Sequence, residues 1–243
     1  MMYAVTVTLP ERLNRQSSAS LLQELAKAEK QPLVLMGGEA CFCRGLDLAA
    51  LSSDRGELQI ELEGFVECLQ RLKYHAAPTL AVVQGEAQGG GVALAAVCDV
   101  VLADANARFA LPELLYGFIP GIILPFLLDR LSEQAVRRLC VAGEGIDVEV
   151  AARMGLVDQW LDSAADDGIK KLQAYWLRNM SRINTVALAR LRALCKTRLE
   201  TPSEQWRQQC VASSLDLLLD EKNRQALKLF LEEGVSPWEN AGE

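Results

Sequence analysis

The chain is expected to fold as an α/β protein whose parallel strands are covered on both faces. Three observations lead there. Residues 33–36 and 79–83 are short, unbroken apolar runs, the pattern of strands buried on both sides. Between such runs lie stretches with leucines every three or four residues, as crossover helices require. Glycine clusters follow the runs, at Gly37-Gly38 and from Gly85 to Gly91, where the chain must turn.

Taken in order, residues 3–9 alternate as a strand does and end at Pro10. Residues 17–30 carry Leu21, Leu22 and Leu25 on one helical face, and Leu33-Val34-Leu35-Met36 is a buried strand. Leu58, Leu62, Phe65, Leu69 and Leu72 mark an amphipathic helix that runs to Lys73. Strands at 79–83 and 100–103 flank an apolar helix beginning after the glycines. From Leu111 onward helical patterns dominate, and only Leu156-Val157 with Trp160 suggests one more short strand. The leucines of the last helices, at 215, 218, 219, 227, 229 and 231 with Phe230, exceed what one exposed helix needs. Such an excess points to packing on another domain or subunit.

The 243 residues are 50% apolar, enough for one large core or a core with an appendage. A formal net charge of −7 and the lack of a basic block argue against nucleic acid and anionic membranes as partners. Seven scattered cysteines read as reduced thiols, and Cys41-x-Cys43 lacks zinc-site spacing, so no metal is expected. The N-terminus has no basic start followed by an apolar core, and residues 116–128 are too short to span a bilayer. A soluble, cytoplasmic protein is expected.

Two glycine turns draw the functional reading. Gly85-Glu86-Ala87-Gln88-Gly89-Gly90-Gly91 joins a buried strand to an apolar helix and leaves backbone N–H groups free. Phe42-Cys43-Arg44-Gly45-Leu46-Asp47-Leu48 is a second such turn. Two separated donors aimed at one carbonyl oxygen would form an oxyanion hole. The glycines could equally serve close helix–sheet packing. They do not have G-x-G-x-x-G spacing, and Gly91 is followed by Val92 where a P-loop has lysine. The lone histidine, His75, stands at a loop junction and reads as structural. No Gly-x-Ser-x-Gly elbow is present. Glu113, among apolar neighbours, has the surroundings that raise a carboxyl pKa toward the working range. It could also be the first-turn acid of a helix after Pro112. Asp47 reads as a turn organiser, and Asp99 and Asp104 as strand-end residues.

Together these segments resemble the crotonase (enoyl-CoA hydratase/isomerase) superfamily. The likeness rests on four stretches in order: the Phe42–Leu48 turn, the Gly85–Gly91 turn, Phe109-Ala110-Leu111-Pro112-Glu113 with Gly117-Phe118-Ile119-Pro120-Gly121, and Ala151-Ala152-Arg153-Met154-Gly155-Leu156-Val157-Asp158. The resemblance implies a spiral of ββα units over residues 1–162, holding the active site. It implies a helical C-terminal oligomerisation region over residues 163–243, forming a trimer or hexamer. It further implies that the N–H groups of Leu46 and Gly90 bind a thioester oxygen. Arg44, Gly45 and Asp47 would lie along a phosphopantetheine arm carried by an acyl carrier protein or by coenzyme A, with no other cofactor.

One departure bears on the reaction. Hydratases of this family use two glutamates, and the position of the first is Ala93 here, while Glu113 holds the second. Single-glutamate members include Δ3,Δ2-enoyl isomerases and the dehydrating crotonases of polyketide β-branching cassettes. The stretch from Glu113 to Leu128 and the chain end at 234–239 resemble the second group more than the first. The expected reaction is dehydration of a 3-hydroxy-3-methylglutaryl thioester to a 3-methylglutaconyl thioester, with Glu113 as the acid–base group. The alternatives are a Δ3,Δ2-enoyl thioester isomerase and a non-catalytic carrier-binding homologue. The resemblance disfavours decarboxylation, because the decarboxylases of the same cassettes have a catalytic lysine and histidine, and here no lysine lies between Lys30 and Lys73 and no histidine in the C-terminal helices. A distal carboxylate would need a cation, for which Arg44, Arg55 and Lys73 are candidates.

Overall fold

A computed structural model describes residues 4–28, 30–161, 166–183, 185–197 and 200–233. In chain order, β1 (Val5–Thr8) leads to α1 (Arg15–Lys27), β2 (Leu33–Met36), β3 (Cys41–Cys43) and α2 (Arg55–Lys73). There follow β4 (Thr79–Val83), β5 (Glu86–Gln88), α3 (Gly90–Ala96), β6 (Val100–Ala103), β7 (Arg108–Ala110) and a 3-10 turn at Pro112–Tyr116. Next come α4 (Leu124–Arg130), α5 (Glu133–Ala142), β8 (Ile146–Asp147), α6 (Val148–Arg153) and β9 (Gln159–Trp160). Four helices complete the described chain: α7 (Asp166–Met180), α8 (Thr185–Thr197), α9 (Glu200–Leu219) and α10 (Glu221–Glu233).

The strands divide between two sheets. One is parallel throughout, in the order β1-β2-β4-β6-β9. The other runs β3-β5-β7-β8, with only β8 antiparallel. Each pair β2/β3, β4/β5 and β6/β7 gives its first strand to the larger sheet and its second to the smaller. That repetition is the expected ββα spiral.

Alternation along the strands assigns the two faces of the larger sheet. Leu33, Leu35, Ala81, Val83, Val101 and Ala103 enter the main core with α1 and α2. Val34, Leu80, Val82 and Leu102 point the other way and meet Ile169 and Met180 of α7. Helix α2 starts where Asp54 accepts a hydrogen bond from the Glu57 amide. It buries Leu58, Leu62, Phe65, Leu69 and Leu72 almost completely. Each such side chain contributes about 1.5–3 kcal/mol relative to exposure, so α2 is a firm support for whatever rests on it.

The strand-end acids are structural. Asp99 accepts from the Thr79 amide at 2.7 Å and bonds Arg192 of α8, while Asp104 accepts from Gln84 and from the Asn106 amide. His75 is buried, with Nε2 3.0 Å from the Gln31 carbonyl oxygen. Cys41, Cys43, Cys68, Cys98 and Cys140 are free thiols, and burial pushes Cys43 and Cys68 up to about 12. No metal-binding cluster and no helix long and apolar enough to cross a membrane occur among the described residues.

The strands β3, β5 and β7 were expected only through the family likeness, and β8 not at all. The boundary expected at residues 162 and 163 and the chain end at 234–239 lie outside the described residues.

Candidate active site

The smaller sheet brings the two glycine turns together. Because β3 pairs with β5, the segment after β3 runs beside the segment after β5. On the opposite edge, Leu13 donates its amide to the Gly45 carbonyl and Asp47 donates its amide to the Leu13 carbonyl, both at 2.7 Å. This parallel bridge between Leu13 and Leu46 leaves the N–H of Leu46 on the far side, toward the glycine turn. Gly90 is the first residue of α3, so its amide has no acceptor within the helix. Among the described residues, neither amide donates to a protein acceptor.

The approach of the two turns depends on missing side chains. Gly45 has φ +74, and a Cβ there would lie 2.5 Å from the Gly90 nitrogen. Gly89 has φ +49, and a Cβ there would stand 3.0 Å from Glu113 Oε1. Both positions require a left-handed backbone and an empty space in front of it. The Phe65 ring of α2 closes the back, since a Cβ on Gly90 would lie 2.8 Å from its Cζ.

Glu113 enters from the 3-10 turn. Pro112 fixes the start of that turn, and Phe118 donates its amide to the Glu113 carbonyl at 2.9 Å. The residue as a whole is partly exposed, yet its Oε2 is enclosed and has no hydrogen-bond partner. Burial pushes the carboxyl up to about 7, an effect its own backbone amide partly offsets. The helix-capping and acid–base readings of Glu113 are thus both compatible with its place. Ala93 is fully buried in α3, within the main core.

Leu46, Gly89, Gly90 and Glu113 line one cavity of about 280 Å³, at the small end of ligand pockets. Its enclosed wall is apolar, with Leu62, Phe65, Ile122, Ile123 and Leu218. Arg12, Arg44 and Asp47 line it toward solvent, whereas Gly45 is buried behind the rim. Leu227 and Leu231 of α10 and Ser214 and Leu218 of α9 complete the lining, so the cavity extends beyond residues 1–162. The apolar excess of the last helices is therefore spent in part on this chain's own cavity. Leu215, Leu218 and Leu219 also pack on the main core.

The three candidate cations fare differently. Arg44 is at the cavity but holds Glu86 at 2.8 Å and also bonds Glu11. Arg55 pairs with Asp216 at 3.0 Å in a separate groove between α2 and α9, and Lys73 pairs with Asp129. Neither lines the cavity, so Arg55 and Lys73 are set aside. Sequence reasoning missed Arg12, whose charge acts on the neighbouring Tyr116 phenol and which has no ion-pair partner among the described residues. It missed Ser214 as well. An exposed loop arginine and a helix serine carry no pattern that could have singled them out.

A carboxyl near 7 gives a pH prediction. If the carboxylate form starts the reaction, kcat/KM is expected to rise about tenfold per pH unit below 7 and to level above it. A rate profile from pH 5 to pH 9 checks this, and a flat profile across that interval contradicts it.

Comparison with known proteins adds the family. The sequence pattern of the enoyl-CoA hydratase/isomerase family matches residues 4–241. The chain is 26% identical over 211 residues to the bacillaene synthase dehydratase PksH of Bacillus subtilis, covering 86% of this chain and 79% of that one. It is 30% identical over 170 residues to the 2,3-dehydroadipyl-CoA hydratase of Escherichia coli, covering 63% of each. Among solved structures, the PksH polyketide biosynthesis enoyl-CoA hydratase of B. subtilis superposes with a TM-score of 0.81 at 24% identity, over 96% of this chain and 94% of that one.

Proposed function

The chain belongs to the enoyl-CoA hydratase/isomerase family, and from that premise we propose that it dehydrates a 3-hydroxy-3-methylglutaryl thioester to a 3-methylglutaconyl thioester. The observation that carries this reading is the pairing of one enclosed carboxyl with two free amides around a single small cavity. The second carboxylate of a hydratase has no counterpart, because Ala93 is buried at that position. The PksH likeness favours dehydration over the other single-carboxyl reactions.

The chemistry follows from the geometry. The amides of Leu46 and Gly90 bind the thioester oxygen and draw electrons from the α-carbon. The Glu113 carboxylate takes the α-proton, and the enolate charge settles on the oxygen between the amides. Losing one such donor typically costs ~3–4 kcal/mol in the barrier. Collapse of the enolate forms the α,β double bond and breaks the bond to the β-hydroxyl. That oxygen recovers the proton from Glu113 and leaves as water, which returns the carboxylate. One carboxyl suffices when proton and hydroxyl depart from the same face.

Arg44 and Asp47 at the rim lie along the carrier arm in this reading, with Gly45 supporting the turn. Arg12, beside Tyr116, receives the distal carboxylate. Arg12→Ala is expected to raise KM for the 3-hydroxy-3-methylglutaryl thioester about tenfold, leaving KM for an uncharged 3-hydroxybutyryl thioester nearly unchanged. Steady-state kinetics on both substrates check it, and equal effects would contradict the assignment. Assembly into a trimer or hexamer is part of the same proposal, and exposed Tyr175, Val186 and Leu191 on α7 and α8 offer surface for it.

Mass spectrometry of the acyl group tests the function. Incubation with the hydroxymethylglutaryl carrier protein, or the coenzyme A ester, is expected to remove one water. An unchanged mass with turnover of a β,γ-enoyl thioester would instead make the protein an isomerase. An unchanged mass with no turnover of either would leave a carrier-binding protein.

A further inference from the structure

We propose that Ser214, on α9, hydrogen-bonds the β-hydroxyl of the acyl group and so orients the leaving oxygen toward Glu113; this rests on the dehydration reading above. Ser214 lines the cavity that Glu113 lines, is only 4% exposed, and its Oγ has no hydrogen-bond partner. A serine inside a helix usually returns its hydroxyl to the carbonyl one turn back, and this one does not. Its neighbours on the same helical face, Val211, Leu215 and Leu218, pack on the main core, where alanine would serve a purely structural need as well. An enclosed hydroxyl without a partner is unfavourable, and a ligand that meets it removes the cost.

The chemistry of the walls selects the group it meets. Among the described residues, Glu113 Oε2 and Ser214 Oγ are the unpartnered, enclosed side-chain atoms of this cavity. The same cavity is lined by apolar side chains, Leu62, Phe65, Ile122 and Ile123 among them. The cations that line the cavity, Arg12 and Arg44, stand toward solvent, so a carboxylate against Ser214 would be buried without a counter-charge. A neutral hydroxyl meets no such penalty. It can accept from Ser214 while facing the carboxyl that must protonate it. Ser214 acts through orientation and is a positioning residue.

The test compares two reactions of one enzyme. Dehydration of the 3-hydroxy-3-methylglutaryl thioester needs the β-hydroxyl, whereas exchange of the α-proton of a 3-methylglutaryl thioester in D2O does not. Ser214→Ala is expected to lower the ratio of dehydration to exchange about tenfold, the worth of one neutral hydrogen bond. The melting temperature should not fall, since the lost hydroxyl had no partner and alanine favours the helix. A ratio equal to that of the unsubstituted enzyme, or a lowered melting temperature with both reactions slowed alike, overturns the assignment. If the unsubstituted enzyme exchanges the α-proton but never releases water, the dehydration reading fails, and the assignment falls with it.

Discussion

Glu113→Gln is expected to slow turnover by roughly 10²–10⁴-fold, the usual worth of a positioned acid–base group. Glutamine keeps the shape of the side chain, so the cavity and the two turns should persist. What disappears is the capacity to take a proton from the α-carbon and return it to the leaving oxygen. Stopped-flow or steady-state assays of dehydration check the loss.

The same substitution has a consequence for stability. The Glu113 carboxyl is pushed up to about 7 by burial, well above an ordinary glutamate. The folded chain therefore holds this proton more tightly than the unfolded chain does. Stability is expected to fall as pH rises from the ordinary carboxyl range through 7, because the ionised form is disfavoured in the fold. Glutamine removes that burden. The variant should match the parent protein near pH 4 and be more stable by a few kcal/mol near pH 8. Thermal melts at the two pH values give the comparison.

Gly45→Ala is the second substitution with a large expected effect. Its methyl group would lie 2.5 Å from the Gly90 nitrogen, and the left-handed φ of +74 is unfavourable for alanine. The backbone alone costs about 1–2 kcal/mol. To make room, the segment carrying Leu46 must move from Gly90, and the two amides no longer meet at one point. A loss of about 10²–10³-fold in kcat is expected, comparable to removing an oxyanion-hole donor. Binding of the carrier arm at the rim should change far less. A raised KM with kcat unchanged would mean that the turn serves binding instead.

The larger sheet was legible because its strands are buried on both faces. Leu33-Val34-Leu35-Met36 and Thr79-Leu80-Ala81-Val82-Val83 have to be apolar throughout. The smaller sheet was not legible in that way. Its strands are three residues long or shorter, and Glu86-Ala87-Gln88 sends two polar side chains to the Arg44 network at the rim. The family likeness implied second strands in ββα units but gave no bounds for β3, β5 or β7 and no hint of β8.

The site divides along the same line. Glu113 could be singled out because apolar neighbours flank it in sequence, and the glycines because turns need them. Convergence across long separations leaves no local trace. Arg12 and Ser214 reach the cavity from a loop near the N-terminus and from α9, and nothing beside them in the chain marks the destination. The same gap explains why Arg55 and Lys73 were plausible cations in the sequence but stand elsewhere in the fold, paired with Asp216 and Asp129.

The most direct test is the infrared stretch of a ¹³C-labelled thioester carbonyl on a bound, unreactive acyl analogue. Two amides closing on that oxygen should weaken the C=O bond and move the band to lower frequency than in water. The shift should survive in Glu113→Gln and vanish in Gly45→Ala. A band at its aqueous position in the unsubstituted enzyme would contradict the account.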